Sequence, residues 1–155
     1  MIEPEIEPEI SSIEYTILVV DDERGILEAI QRILKREPLF KYKVLTADNA
    51  KDALKIVESE KVDLILSDQR MPEMTGVELF NKVREISPQT VRMLITGYTD
   101  LNAAIEAINK AKIDYYIEKP WDDIELLNII RNGLNRPRSY VFIKPAEGPG
   151  KYIPL

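Results

Sequence analysis

The chain has 155 residues, a formal net charge of −6, no histidine and no cysteine. The two zeros exclude a Ser-His-Asp triad, a histidine base or ligand, a thiol nucleophile, a disulfide framework, an Fe–S cluster and a zinc finger. A bound metal would have only oxygen ligands, which suit hard cations such as Mg²⁺, and 45% hydrophobic with 31% charged residues suits one soluble domain with a core.

Residues 1–14 hold five acidic side chains (Glu3, Glu5, Glu7, Glu9, Glu14) and no basic one, which leaves 22 acidic against 21 basic residues in the remainder. The motif EPEI occurs twice over 3–10. Proline at every fourth position blocks a helix interior and the like charges repel, so 1–14 reads as a flexible acidic arm. The near-neutral body gives no reason to expect nucleic-acid binding. No apolar run approaches a membrane span, and the acidic start is not a signal peptide, so the expected location is cytoplasmic.

From Thr16 onward a short apolar run followed by an amphipathic stretch occurs five times. The runs are 16–20, 44–47, 62–67, 91–96 and 115–118, and several are continuous, as strands buried on both faces should be. The amphipathic stretches lie near 23–36, 49–59, 76–86, 100–111 and 122–134. In the second, Ala50, Ala53, Leu54 and Val57 share one helical face, and in the fourth Leu101, Ala104, Ile105 and Ile108 do so. Asp48 or Asn49 is a natural N-cap for the second helix, and Thr99 or Asp100 for the fourth. Five strand–helix units with right-handed crossovers predict a doubly wound α/β domain with a parallel sheet between helices.

In such a sheet the site lies beyond the carboxyl ends of the strands. The first run ends in Asp21-Asp22, the third in Asp68, the fourth in Thr96-Gly97 and the fifth in Lys119-Pro120; the second is followed by Asp48, already read as a candidate helix cap. Three carboxylates, one hydroxyl and one ammonium are therefore expected on one rim. Clustered carboxylates repel unless a cation lies between them, and short Asp side chains suit Mg²⁺. A lysine and a threonine can hold phosphate oxygens, and one carboxylate can act as a nucleophile to form an acyl phosphate. These parts fit phosphoryl transfer.

The segments ILVVDDE (17–23), LILSDQRMPEMTG (64–76), LITGY (94–98) and YYIEKPWD (115–122) together resemble the receiver domains of two-component response regulators. The resemblance covers nearly all of 15–134, in order. It implies a (βα)5 flavodoxin-like, CheY-like three-layer sandwich with strand order 2-1-3-4-5. It also implies roles. Asp68 matches the phosphoacceptor that takes a phosphoryl group from a histidine kinase. Asp22 matches the direct Mg²⁺ ligand and Asp21 its partner, with the backbone carbonyl of Arg70 as a further ligand. Thr96 matches the switch hydroxyl, Lys119 the lysine that pairs with the phosphoryl group, and Tyr116 the aromatic residue that changes rotamer. Pro120 matches a proline after a cis bond. The face formed by the fourth helix, fifth strand and fifth helix is the expected surface for a homodimer, an output domain or another partner. Such a chain is not an enzyme, although it assists its own phosphotransfer and dephosphorylation.

Plainer readings exist for the same residues. Asp21 and Asp22 could cap the first helix, Asp68 could start a turn, Thr96-Gly97 could be only a turn, and Lys119 could be a solvated lysine. Tyr115 competes with Tyr116 for the switch role. Gly76 reads as a simple turn glycine, and Trp121 as packing at the start of the last helix. The family more often has an aliphatic residue where Gln69 stands, and Arg70 brings a cation beside the site. Two other functions compete. One is a degenerate receiver that binds partners without phosphorylation. The other is a Mg²⁺-dependent phosphohydrolase, disfavoured because DDERG lacks the spaced second aspartate of the haloacid-dehalogenase-like enzymes. No GxGxxG or Walker loop follows the first run, which disfavours nucleotide binding.

Residues 135–155 read as a proline-rich tail or linker too small for an output domain. Within it the apolar run 140–143 has strand character and could pack on the domain, extend a sheet edge or stay exposed. The stretch INKAKIDYYIEKPWD (108–122) resembles receivers attached to signalling enzymes such as cyclic-di-nucleotide phosphodiesterases.

Overall fold

The structure is a computed structural model and describes residues 13–97, 101–135 and 140–154. The elements are β1 (Glu14–Val20), α1 (Arg24–Leu34), β2 (Lys41–Ala47), α2 (Ala50–Ser59), β3 (Leu64–Ser67), α3 (Gly76–Ile86), β4 (Val91–Thr96), α4 (Leu101–Ala111), β5 (Tyr115–Glu118), α5 (Asp123–Asn135), β6 (Tyr140–Lys144) and β7 (Lys151–Pro154). The sheet order is β2-β1-β3-β4-β5-β6-β7, parallel from β2 through β6, with β7 antiparallel to β6. The first five strands therefore have the doubly wound order 2-1-3-4-5, and the CheY-like flavodoxin fold is observed.

The strand boundaries follow pairing rather than hydrophobicity. β1 opens at Glu14, inside the segment read as an acidic arm, because Glu14 pairs with Lys41 and their side chains lie 3.7 Å apart. β2 begins three residues before its apolar run, since it pairs with β1 along its whole length. Val62 is buried but precedes β3. β3 and β4 are buried at every position, consistent with strands covered on both faces.

Two apolar layers flank the sheet. On one face, Ala53 and Val57 of α2, Leu79, Phe80 and Val83 of α3, and Ala107 and Ala111 of α4 pack over Leu18, Ile65, Leu94 and Tyr116. On the other, Leu27, Ile30 and Ile33 of α1 and Leu126, Ile129 and Ile130 of α5 pack over Ile17, Leu64, Met93 and Tyr115. The period-two alternation of a strand assigns the two adjacent tyrosines to opposite layers.

Local chemistry fixes the helix starts. Asn49, not Asp48, caps α2: its side chain accepts from the Asp52 N–H at 2.8 Å. Thr75 caps α3 by accepting from the Glu78 N–H at 3.2 Å. Glu23 is the N-cap of α1, with no side-chain cap bond of its own. The two candidate caps of α4, Thr99 and Asp100, lie outside the described residues. Beyond α4, Lys112 takes φ 48°, the left-handed turn that often ends a helix. Among the described residues no helix is long and apolar enough to cross a membrane.

Candidate functional site

The carboxyl ends of β1, β3, β4 and β5 bring Asp21, Asp68, Thr96 and Lys119 to one rim. Asp21 and Asp68 follow β1 and β3 directly and are held by main-chain bonds to neighbouring strands. The Asp21 N–H donates to the Ala47 carbonyl at 3.2 Å, and the Asp68 N–H to the Val20 carbonyl at 3.0 Å. The Lys119 N–H donates to the Thr96 carbonyl at 2.8 Å, which ties the ends of β4 and β5 together.

Asp21, Asp22 and Asp68 each offer a carboxylate oxygen within 4.8 Å of the others. Asp21 is only 2% exposed, whereas Asp22 is open to solvent. One Asp21 oxygen accepts from the Glu23 N–H at 2.9 Å. The other lies 3.2 Å from the Lys119 ammonium, which also lies 3.4 Å from Asp68 Oδ1. Asp21 therefore contributes to the entry of α1 and to the charge cluster at once.

Burial pushes the Asp68 carboxyl above the usual carboxylate range; Lys119 opposes this and the Asp21 charge adds to it. Burial pulls the Lys119 ammonium down, but the Asp21 and Asp68 carboxylates outweigh it and hold it above its ordinary value. The cluster holds three carboxylates and one ammonium, which contacts Asp21 and Asp68, so negative charge remains in excess. The donor set is all oxygen, short-armed and partly open to water, and it fits a hard divalent cation that retains water ligands.

Thr96 is buried, with the strand parity of Leu94, and Leu94 pairs with Tyr116 in register. Thr96 and Tyr116 thus lie on the same face of the sheet, the one covered by α2–α4. Tyr116 is 3% exposed. Arg70 is exposed on the loop leaving β3. The Lys119–Pro120 peptide bond is cis. Trp121 is half-buried, and its indole N–H donates to Asp123 Oδ1 at 3.1 Å, at the start of α5.

Two residues given no role by the sequence shape this site. A Cβ at Gly76 would collide with the backbone carbonyl oxygen of Asp68 and come within 2.7 Å of Leu94 Cδ1. Gly76 is therefore the close approach that lets α3 start against the Asp68 main chain. The Gln69 side-chain oxygen accepts from the Val77 N–H at 3.0 Å. It serves the first turn of α3, a task an aliphatic residue could not perform. The loop between them passes through Glu73 at φ 70°, a left-handed position.

The response regulator receiver domain model matches residues 17–131. The hydrogenase transcriptional regulatory protein HoxA of Bradyrhizobium diazoefficiens is 43% identical over 123 residues, which is 79% of this chain and 24% of that protein. The chain spans about a quarter of the length of this relative and of two other curated relatives it matches. The signal receiver domain of an HD domain-containing protein from Pseudomonas fluorescens Pf-5 superposes with a TM-score of 0.72 at 38% identity, covering 77% of this chain and 86% of that one. A CheY-like response regulator receiver domain protein from Methanospirillum hungatei JF-1 gives 0.71 at 32% identity, with 79% and 95% covered. With its matched segment spanning β1 to α5 and its strand-end residues on one rim, this chain belongs to the response regulator receiver domain family of two-component systems.

Proposed function

We propose that the protein is a phosphorylation-dependent switch in which Asp68 accepts a phosphoryl group from a histidine kinase. The observation that carries this is the cluster of the Asp21, Asp22 and Asp68 carboxylates, with the Lys119 ammonium set against Asp21 and Asp68, at the ends of three strands. Asp21, Asp22, Asp68 and the Arg70 carbonyl are the candidate Mg²⁺ ligands. A bound Mg²⁺ would neutralise the carboxylates and draw in a phosphate oxygen.

In the transfer, a carboxylate oxygen of Asp68 attacks phosphorus in line with the nitrogen of a phosphohistidine. The new P–O bond makes an acyl phosphate, the P–N bond breaks, and its electron pair returns to the imidazole, which takes up a proton from water. Lys119 then exchanges part of its contact with the Asp68 carboxylate for a phosphoryl oxygen. The Thr96 hydroxyl donates to another, and Tyr116, on the same face of the sheet, changes rotamer with it. The outcome is a shift between two states that alters the surface near α4, β5 and α5. HoxA is a transcriptional regulatory protein of which the match covers 24%. This supports a receiver that controls a separate output domain or partner, through contacts of that surface or through dimerisation.

The test is intact-mass spectrometry after incubation with acetyl phosphate and Mg²⁺. One phosphoryl adduct is expected on the wild type, lost in Asp68→Asn. If neither acetyl phosphate nor beryllofluoride with Mg²⁺ leaves a detectable mark on the wild type, the protein binds its partners without phosphorylation.

A further inference from the structure

The run 140–144 is a sixth parallel strand on the β5 edge. Tyr115 pairs with Phe142, Tyr116 with Ile143 and Ile117 with Lys144. β7 then folds back along β6, from Ile143 opposite Lys151 to Tyr140 opposite Pro154. Val141 and Ile143 join the apolar layer that contains Tyr116, while Phe142 joins the one that contains Tyr115. The Phe142 ring lies between those of Tyr115 and Tyr152, with centroids 5.6 and 4.7 Å away. Gly150 allows this: a Cβ there would enter the Phe142 ring.

This hairpin occupies the edge on which the proposed output surface is centred. It is tied to the site through adjacent residues. Glu118 Oε2 accepts from the Ala146 N–H at 3.1 Å, and Glu118 directly precedes Lys119. Lys144 lies 3.5 Å from Glu125 in the first turn of α5. Tyr116, the proposed switch side chain, packs in the same layer as Val141 and Ile143. The hairpin is also the least anchored part of the sheet: it pairs with β5 at three positions, and β7 is exposed along its whole length. Segments of this kind are the first to open locally.

We propose that the β6–β7 hairpin is a displaceable cap on the β5 edge, latched through Tyr116 and Glu118, which must lift before a partner can reach that edge. The trigger rests on the phosphoacceptor reading above; the lift itself does not. A change in the Tyr116 rotamer removes a packing partner from Val141 and Ile143, and a shift of Lys119 moves Glu118 away from Ala146. Both loosen β6.

Hydrogen exchange on the full chain tests this. The 141–144 amides should exchange at least roughly ten times faster than those of β1 and β3, as a separately opening unit does. Gly150→Val, which displaces the Phe142 ring, should speed them by about a further tenfold and leave β1 and β3 unchanged. Beryllofluoride with Mg²⁺ should accelerate hairpin exchange in the wild type but not in Tyr116→Ala, with ¹⁹F NMR reporting binding in each case. Exchange of the hairpin at the same rate as β1 and β3 in both wild type and Gly150→Val would make it a fixed part of the core and overturn the cap. Bound beryllofluoride without a change at 141–144 would overturn the latch. Failure of beryllofluoride to bind would instead refute the phosphoacceptor reading and its trigger, while the Gly150→Val result would still decide whether the hairpin lifts.

Discussion

Gly76→Ala tests whether the main chain at Asp68 depends on a missing side chain. The added methyl would meet the Asp68 carbonyl oxygen and lie 2.7 Å from Leu94 Cδ1. The first is backbone at the end of β3 and the second is fully buried, so neither yields easily. Overpacking of this kind costs about 1–3 kcal/mol, against at most about 1 kcal/mol of helix propensity gained by leaving glycine. The net expectation is a loss of about 1–2 kcal/mol, a shift of several degrees in Tm for a domain of this size. Gly25→Ala is the internal control. Gly25 is also helical, but a Cβ there meets nothing within 4 Å, so alanine should stabilise by about 0.5–1 kcal/mol. Urea unfolding followed by Trp121 fluorescence measures both variants. The Gly76 variant should also bind beryllofluoride more weakly, because the displaced group is the Asp68 backbone. Equal stabilisation by the two alanines would refute the close-approach reasoning.

Asp68→Asn should be more stable than the wild type at neutral pH in EDTA. The folded Asp68 pKa is raised by burial, so the native state holds that proton more tightly than the unfolded chain. Relative to the variant, wild-type stability should fall as pH rises from the unfolded carboxyl pKa of about 3.9 through the raised folded value, and then level off. A flat or rising difference in urea midpoints across that window counts against the assignment. Lys119→Met removes the ammonium between Asp21 and Asp68 and should cost about 2–4 kcal/mol without metal, since one charge of a largely buried group then lacks its partner. Adding Mg²⁺ should restore more stability to this variant than to the wild type in thermal melts, and equal gains would show that the ion does not share the lysine's charges. Gln69→Leu should lose the bond to the Val77 N–H and about 1 kcal/mol, without abolishing acetyl phosphate labelling. Loss of labelling would give Gln69 a direct role at the phosphoryl group.

The five strand–helix units were legible because burial on two faces produces continuous apolar runs, as at β3 and β4, and because chain order determines which carboxyl ends meet. The cluster of Asp21, Asp22, Asp68 and Lys119 followed from that rule alone. Gly76 and Gln69 were not legible, since both act across the gap between a strand end and a helix start. A glycine after a threonine looks the same whether it turns freely or accommodates a neighbouring carbonyl. Only the resemblance chose Tyr116 over Tyr115; strand periodicity could not, because which of two adjacent residues faces α4 depends on register with β4, fixed here by Leu94 opposite Tyr116. The 140–143 run looked like a strand, but an isolated apolar run carries no signal of its partner. Phe142 against Tyr115, and the space left at Gly150, supply that information only in three dimensions.

The charge balance of the rim leads to the remaining expectation. Lys119 compensates one of three carboxylates, and an incoming phosphoryl group adds further negative charge beside Asp68. Two like charges about 4 Å apart repel by about 4 kcal/mol at an effective dielectric of 20. Lys119 alone cannot offset this, because its contacts with Asp21 and Asp68 are already made at 3.2 and 3.4 Å. A divalent cation among Asp21, Asp22 and Asp68 would reverse the local sign. Chelation by EDTA should therefore slow acetyl phosphate labelling of Asp68 by at least about a hundredfold, the equivalent of roughly 2.7 kcal/mol. Replacing exposed Asp22 with Asn should impair labelling most at low Mg²⁺, with partial recovery as the ion is raised. Labelling that proceeds at the same rate in EDTA would refute the requirement for a cation among the three carboxylates.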